Sequence, residues 1–407
     1  MGLRIKKFSI IILVSVQCVS ASAEREFRMS SQASVGAPDL QSARAREQCV
    51  QEKDQVIQDK NSAIVSTLSF SYDDTDYPAL TGVSKDKEFY SDLAKSHGIK
   101  QSDFVDKNYL GQHEVSGDLI KKAKSNFLSQ LAGSWQGKKE LWLNFTGHGL
   151  IDENGKWHLA LPVKNVDVSA CLADTDDKRI REVQKNGAPI QTGSLRTTAK
   201  AKSRNSGLEI PCKDLFVSMD DLLSTAKNAG VKDLLFISDS CFSAAAEKSV
   251  QSVGGINALA LFASQADESA ADLGPKKGGA FTSKYLAKLK SDPAAFQLAD
   301  KNKDQKLSLV EVKDALELQA QGAKAKNQET LKKEFGDKAP KSISVETGAS
   351  QKDYVELEQV PQCSVASRGS SQRFFNRVLF EAPVVSQNLA LVEETKSAAS
   401  TSQTQHE

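Results

Sequence analysis

Four short apolar runs, separated by segments of helical periodicity, constrain the fold of this chain more than any other feature. Because the runs are short and mostly apolar or β-branched, they predict strands buried on both faces, as in a parallel sheet. The helical patterns between them predict helices on both faces of a mostly parallel central sheet, which is an α/β fold. The runs are Ala63 to Phe70, Leu141 to Phe145, Leu234 to Ile237 and Ala258 to Phe262, and the helical patterns are Glu88 to His97, Leu119 to Leu131, Met219 to Ala229 and Phe281 to Leu289.

The first residues have the pattern of a secretory signal. Arg4 and Lys6 precede an apolar run from Phe8 to Val19, and the small residues Ala21-Ser22-Ala23 follow as a cleavage site. A membrane anchor is the alternative, but the run is too short to cross about 30 Å of hydrocarbon as a helix. We therefore predict a signal peptide over residues 1–23 and an exported protein, periplasmic or extracellular.

Length and charge limit the remaining function classes. The 407 residues allow one large α/β domain with insertions. The 53 Lys and Arg residues balance 52 Asp and Glu residues, so the formal net charge is +1. Such a balance creates no overall field that would favour nucleic acid as a partner. Beyond the signal, we expect no membrane span in the mature chain.

Export changes how the cysteines are interpreted. Of the six cysteines, Cys18 would leave with the signal, so an odd number remains in an oxidising compartment. Four paired cysteines allow three connectivities. The simplest joins Cys171 to Cys212 and Cys49 to Cys363, and it leaves Cys241 as a free thiol.

His148 and Cys241 each follow a predicted strand, where the loops of a parallel sheet carry its chemistry. A cysteine nucleophile needs a partner that accepts its proton and later protonates the leaving amine, and a histidine serves both purposes. Gly147 and Gly149 flank the histidine and allow a close approach of the backbone. A buried structural Cys and a buried structural His are the alternatives. The remaining histidines, His97, His113, His158 and His406, show no metal-ligand spacing, so we do not expect a zinc site.

The residues around this pair resemble those of caspase-like cysteine peptidases, in particular metacaspases and their bacterial relatives. The resemblance runs from about residue 63 to about residue 362 and implies a three-layer sandwich fold. Ala244 stands where the family commonly has Gly, and a long insertion separates His148 from Cys241. The matching segments are Thr146-Gly147-His148-Gly149, Asp239-Ser240-Cys241-Phe242-Ser243, Leu80-Thr81-Gly82-Val83 with Asp86, Ala263 to Ala270, and Gly279-Ala280-Phe281-Thr282.

The resemblance implies a role for each matching residue. Cys241 is expected to be the nucleophile, His148 the acid and base, and the amides of Gly149 and Cys241 the oxyanion donors. Asp239 lies two residues before the nucleophile, where caspases that cut after Asp have Gln. A carboxylate there predicts substrates with Arg or Lys at P1, because it attracts a cation and repels Asp. A local turn cap is the alternative role for Asp239.

The domain organisation follows from composition. Residues 24–60 are a polar lead-in, residues 61–363 the peptidase-like domain, and residues 364–407 an extension that we expect to be disordered from about residue 394. The insertion over residues 163–217 looks like a mobile surface loop. Its basic residues would suit an Asp239-lined pocket, so self-cleavage is predicted after Arg196, Lys200, Lys202 or Arg204.

A segment at residues 300–311 resembles an EF-hand calcium loop. Asp300, Asn302, Asp304 and Glu311 fit liganding positions, whereas Gln305 replaces the glycine of the sharp turn. A structural loop-to-helix junction is the alternative, and the resemblance to metacaspases implies calcium at another acidic site as a second alternative. The peptidase chemistry itself is expected to require no cofactor.

The sequence thus favours an exported cysteine endopeptidase that acts on protein or peptide substrates with a basic P1 residue. A catalytically inactive secreted binding or scaffold protein of the same fold is the rival hypothesis. The presence of His148, Cys241, Asp239 and both glycines beside His148 favours the enzyme, since a decayed site usually loses one of these residues.

Overall fold

A computed structural model describes residues 61–105, 120, 122–173, 194–335, 358–367 and 372–383. The predicted signal peptide (1–23) and lead-in (24–60) lie outside the described residues. The strands are β1 (Ala63–Ser69), β2 (Lys100–Val105), β3 (Glu140–Thr146), β4 (Gly149–Asp152), β5 (Trp157–Ala160), β6 (Val166–Asp167), β7 (Leu172–Ala173), β8 (Ser194–Leu195), β9 (Lys200–Ser203), β10 (Glu209–Pro211), β11 (Phe216–Ser218), β12 (Asp233–Asp239), β13 (Asn257–Phe262), β14 (Lys306–Ser308), β15 (Gln362–Ala366) and β16 (Val378–Glu381).

The helices alternate with these strands along the chain. A π-helical turn (Thr282–Leu286) leads directly into the fifth α-helix, and short 3₁₀ turns lie at Ser169–Cys171, Cys212–Asp214 and Ser243–Ala246. The α-helices are α1 (Val83–His97), α2 (Ala123–Trp135), α3 (Met219–Ala229), α4 (Glu247–Ser252), α5 (Ala287–Ser291), α6 (Pro293–Ala299), α7 (Leu309–Phe335) and α8 (Gln372–Phe375).

Six strands form the central sheet, in the order β15-β13-β12-β3-β1-β2. Neighbours from β13 to β2 run parallel, and only β15 at one edge is antiparallel to its neighbour. All four predicted apolar runs lie in this sheet as β1, β3, β12 and β13. The expected α/β class and mostly parallel sheet are therefore confirmed.

Helices cover both faces of the sheet, because each inner strand buries both of its faces. On β3, Leu141 and Leu143 pack in the core layer of α2, α3 and α4, whereas Trp142 between them packs in the opposite layer with α1 and α5 to α8. Alternate residues of a strand point to opposite faces. An unbroken apolar run is what such a strand needs, and the result is a three-layer arrangement.

Local signals set the helix ends. Ser218 and Asp221 form a reciprocal capping box at the start of α3, and Gly230 ends it with φ 95°. Gly98 ends α1 in the same left-handed conformation, with φ 61°. Both helices end where the predicted helical patterns end, at His97 and Ala229.

The insertion is folded rather than a mobile loop, which corrects the expectation for its described part. Strands β6, β9 and β10 form a three-stranded sheet, and β7 and β8 join β4, β5 and β11 in a five-stranded sheet. Leu195, Ala201 and Ile210 are buried there, so a few apolar residues at alternating positions suffice to order it. Residues 174–193 lie outside the described residues.

One predicted disulfide is present and the other is not. Cys171 and Cys212 are bridged, with Cα atoms 5.5 Å apart, and the bridge joins two 3₁₀ turns of the insertion. Cys363 is instead a free thiol on β15, where its Sγ lies 3.9 Å from the Lys313 carbonyl of α7. The Cys363 thiol therefore points from the edge strand toward α7. Its predicted partner, Cys49, lies outside the described residues. Cys241 is free, as expected.

The predicted domain end at residue 363 falls inside β15 and is wrong. Residues 372–383 also belong to the domain, because β16 pairs with β14 and Phe374 is buried in the core. The tail expected to be disordered lies outside the described residues. Among the described helices, none is both long enough and apolar enough to span a membrane.

Candidate active site

The sheet register places the two predicted catalytic residues side by side. Strands β3 and β12 are parallel neighbours, and their last residues, Thr146 and Asp239, are paired. His148 and Cys241 each follow two residues later, on adjoining loops. A side chain at Gly149 would be impossible, because its Cβ would lie within 2.3 Å of the Cys241 carbonyl oxygen and 2.6 Å of Trp157 Nε1. The glycine after the histidine therefore allows the two loops to touch.

His148 is buried and held in one orientation. Its Nε2 lies 2.7 Å from the Pro78 carbonyl oxygen. A carbonyl oxygen can only accept, so Nε2 carries the proton and Nδ1 of the neutral ring keeps its lone pair. Burial lowers the pKa of His148, which the Pro78 hydrogen bond and the charge of Asp272 partly oppose. The imidazole is therefore neutral at pH 7, with Nδ1 as its basic atom.

Two tyrosines that the sequence gave no reason to single out support this histidine. Their rings lie with centroids 4.5 Å (Tyr72) and 5.8 Å (Tyr77) from the imidazole. The Tyr72 hydroxyl accepts from the His148 N–H (3.0 Å) and donates to the Ala160 carbonyl (2.8 Å). The Tyr72 hydroxyl thus takes the place of a direct hydrogen bond from the His148 N–H to the Ala160 carbonyl. In this way it fixes the backbone of His148.

The amide of Gly149 points away from the neighbouring strand. Ala160 N–H donates to the His148 carbonyl (3.0 Å), and Gly149 is paired with Leu159 in the antiparallel ladder. Gly149 therefore occupies a non-hydrogen-bonded pair, whose N–H is directed away from β5. This orientation is compatible with the predicted oxyanion donor.

Cys241 is partly exposed and contacts the loop that follows β13. Its Sγ accepts from the Ala270 N–H at 3.3 Å and lies 3.8 Å from the Ala270 carbonyl. Burial raises the pKa of the thiol, and the Ala270 amide acts in the opposite direction. Phe242 has φ 57°, a conformation that costs a bulky residue energy and is found at functional sites. Because its pKa is raised, the Cys241 thiol is protonated at rest.

Three aspartates lie close together near this pair. Asp239 is buried and accepts from Thr282 N–H (2.9 Å), and Asp86 is buried and accepts from Gly279 N–H (2.9 Å). Burial raises the pKa of both carboxyl groups, and the charge of Asp239 raises the pKa of Asp86 further. Asp272 adds to this repulsion and accepts from the amides of Thr81 and Gly82. For Asp86 and Asp239, burial and carboxylate repulsion outweigh the amide hydrogen bonds, so a cation beside these two groups would be favoured.

Glycines bring the backbone up to these carboxylates. A Cβ on Gly279 would lie 2.2 Å from Asp239 Oδ2, and one on Gly278, which has φ 85°, would lie 2.4 Å from Asp86 Oδ1. The quoted motifs already contained Asp86 and Gly279. Asp272 was missed, because a single acid in a polar loop carries no signal of its own until the loop is folded against the site.

In the EF-hand-like segment, the acidic side chains accept hydrogen bonds from the loop and from the start of α7. Asp300 accepts from the backbone amides of Asp304 and Gln305, and Glu311 accepts from Ser308 at the start of α7. These carboxylates therefore hold the backbone of the loop. In the part of the chain that the structure describes, no group of three or more His, Cys, Asp or Glu side chains is arranged to hold a metal ion. Gln305 adopts φ 63°, the conformation for which the calcium loop uses glycine.

Comparisons with known proteins are distant. No protein-family model matches the chain, and no curated protein does. Among solved structures, a protein from Geobacter sulfurreducens is similar with a TM-score of 0.38 and 14% identity, over 79% of this chain and 99% of that chain. Caspase-1 from Spodoptera frugiperda is similar with a TM-score of 0.34 and 12% identity, over 75% of this chain and 90% of that chain. Similarities at this level assign neither a function nor residue roles.

Proposed function

We propose that this protein is a caspase-like cysteine endopeptidase in which Cys241 is the nucleophile and His148 the proton carrier. The observation that carries the proposal is the backbone contact between Gly149 and Cys241. It brings the residue after the histidine against the thiol-bearing residue at the carboxyl end of the sheet. The resemblance of both loops to the caspase-like motifs supports the same roles.

The proposed reaction uses only groups of this chain. As substrate binds, the Cys241 thiol gives its proton to Nδ1 of His148, and the thiolate attacks the scissile carbonyl carbon. The amides of Gly149 and Cys241 would hold the resulting oxyanion. Collapse breaks the C–N bond, His148 protonates the leaving amine, and a thioester remains. Water, deprotonated by His148, then hydrolyses the thioester and regenerates the thiol.

The substrate side chain that fits this site is basic. Asp239 and Asp86 are buried close to Asp272, and burial together with repulsion between carboxylates raises the pKa of both. The charge of Asp272 also acts on His148. A P1 Arg or Lys would supply a cation, whereas a P1 Asp would add to the repulsion. We therefore propose cleavage after Arg or Lys in protein or peptide substrates.

Export belongs to the same proposal. The Cys171–Cys212 disulfide supports it, because disulfides persist in oxidising compartments and are rare in the cytosol. Expression with and without residues 1–23, followed by fractionation, tests the signal. The mature protein should start near Glu24 in the exported fraction, and a full-length chain retained in the cytosol would contradict the proposal.

Cys241→Ala and His148→Ala test the proposed pair. Each should reduce kcat/KM on an Arg-containing peptide by at least about 10³-fold, while the chain stays folded. Cys363→Ala, which removes the other free thiol among the described residues, is the matched control and should keep wild-type activity. An Arg-bearing acyloxymethyl ketone should label only proteins that retain Cys241. Absence of Cys241-dependent labelling would favour the inactive scaffold instead.

Asp239→Asn tests the specificity. Loss of one desolvated charge partner should cost about 2–4 kcal/mol, which is roughly a 30- to 700-fold fall in kcat/KM for P1 Arg. Asp304→Asn, an exposed carboxylate in the 300–311 loop, is the control. A wild-type enzyme that preferred P1 Asp would overturn this assignment.

A further inference from the structure

A short segment ahead of β15 lies against the loop that contacts the Cys241 thiol. Gln359, in this segment, is 9% exposed and uses both ends of its side-chain amide. Its Oε1 accepts from the Ala271 N–H at 3.0 Å, and its Nε2 donates to the Ala263 carbonyl at 2.8 Å. Ala263 directly follows β13, so one side chain ties the start of the loop to its far end.

The loop between these two points contacts the nucleophile directly. Ala270, the neighbour of Ala271, places its N–H 3.3 Å from Cys241 Sγ. Two residues earlier, the Glu268 carbonyl accepts from the Phe242 N–H at 2.8 Å, on the other side of the thiol-bearing residue. The position of this loop therefore decides where a hydrogen-bond donor meets the sulfur.

Gln359 is itself anchored from several sides. The next residue, Val360, donates its N–H to the Glu268 carboxylate at 3.0 Å. The preceding residue, Glu358, pairs its backbone N–H and carbonyl with the side-chain amide of Asn327 on α7, both at 2.7 Å. Tyr285 donates its hydroxyl to the Gln359 carbonyl. These contacts leave the Gln359 side chain in one place relative to the loop.

We propose that Gln359 is a positioning residue for the nucleophile, which holds the Ala270 amide at Cys241 Sγ by clamping Ala271 against Ala263. A nearby N–H donor stabilises the thiolate over the thiol, as it does for any anion. Without the clamp, the loop loses two buried hydrogen bonds and the donor moves from the sulfur. The inference rests on the proposed function only in naming Cys241 as the nucleophile.

Thiol alkylation measures this effect without reference to peptidase activity. The rate of iodoacetamide modification of the Cys241 peptide, followed by mass spectrometry from pH 5 to 10, reports the apparent pKa of the thiol. Gln359→Met keeps the size of the side chain and removes both hydrogen bonds. It should raise that pKa by about one unit, which is roughly tenfold slower alkylation at pH 7.

Tyr285→Phe is the matched control, because it removes a hydrogen bond to the backbone of the same residue but leaves the side-chain clamp. It should shift the alkylation profile much less than Gln359→Met does, at a comparable loss of thermal stability. Equal shifts in the two variants, or a wild-type profile in Gln359→Met, would overturn the proposal. If Gln359→Met fails to fold, Gln359→Asn, too short for the span from Ala263 to Ala271, should give the same shift.

Peptide hydrolysis separates this inference from the proposed function. A chain that hydrolyses Arg peptides but shows no Gln359-dependent shift refutes the positioning role alone. A chain with the shift but without Cys241-dependent hydrolysis refutes the peptidase alone.

Discussion

Glu268→Gln should change the pH dependence of stability by an amount set by the burial of this carboxyl group. Glu268 is 6% exposed and accepts from the Val360 and Gln265 amides. Burial raises its pKa from 4.5 to about 7, despite these hydrogen bonds. Below pH 4.5 the group is protonated in both the folded and the unfolded chain, so it contributes no pH dependence there.

The sign follows from which state binds more protons. Between pH 4.5 and 7 the unfolded chain has released this proton and the folded chain still holds it, so the free energy of unfolding falls as the pH rises. The shift corresponds to about 3 kcal/mol over this window. Glutamine does not titrate, so the free energy of unfolding of the Glu268→Gln variant does not fall in this way. The difference in the free energy of unfolding, variant minus wild type, should therefore rise by about 3 kcal/mol from pH 4.5 to 7.5.

Urea unfolding followed by circular dichroism at several pH values measures this difference, and contributions from all other titrating groups cancel in it. Glu329→Gln, the same substitution at an exposed position of α7, is the matched control. Parallel pH profiles for wild type and Glu268→Gln would refute the reasoning, because they would mean that the buried carboxyl ionises as readily as an exposed one.

Other outcomes are expected around the histidine and in the insertion. Tyr72→Phe removes the bridge between His148 N–H and the Ala160 carbonyl, so the free energy of unfolding should fall by about 1–3 kcal/mol and kcat should fall more than KM rises. Replacing both Cys171 and Cys212 by Ser should destabilise the chain by about 4 kcal/mol in urea, because the bridge closes a loop with a sequence separation of 41. Self-cleavage at the four basic sites of residues 196–204 requires their β-structure to open, so this double variant should be cut faster than wild type on gels. If neither protein is cleaved, the prediction of self-cleavage at these sites is wrong.

Much of the fold follows from patterns local in the sequence. The mostly apolar runs at β1, β3, β12 and β13 predicted strands buried on both faces, and two of the predicted helical patterns end directly before Gly98 and Gly230. His148 and Cys241 each follow such a run, so their positions at one edge of the sheet were likewise predictable. Carboxyl ends of parallel strands share one edge, so sequence order alone brings them to the same edge of the sheet.

Tertiary structure decided the contacts made by isolated polar residues in loops. Tyr72, Asp272 and Gln359 acquire their partners only when segments far apart in the chain meet, and no local periodicity marks them. The insertion was underestimated for the same reason, since its few buried residues are spread over short strands that pair at a distance. Periodicity reports which residues are buried, whereas the partner of a buried polar group depends on the packing of the whole domain.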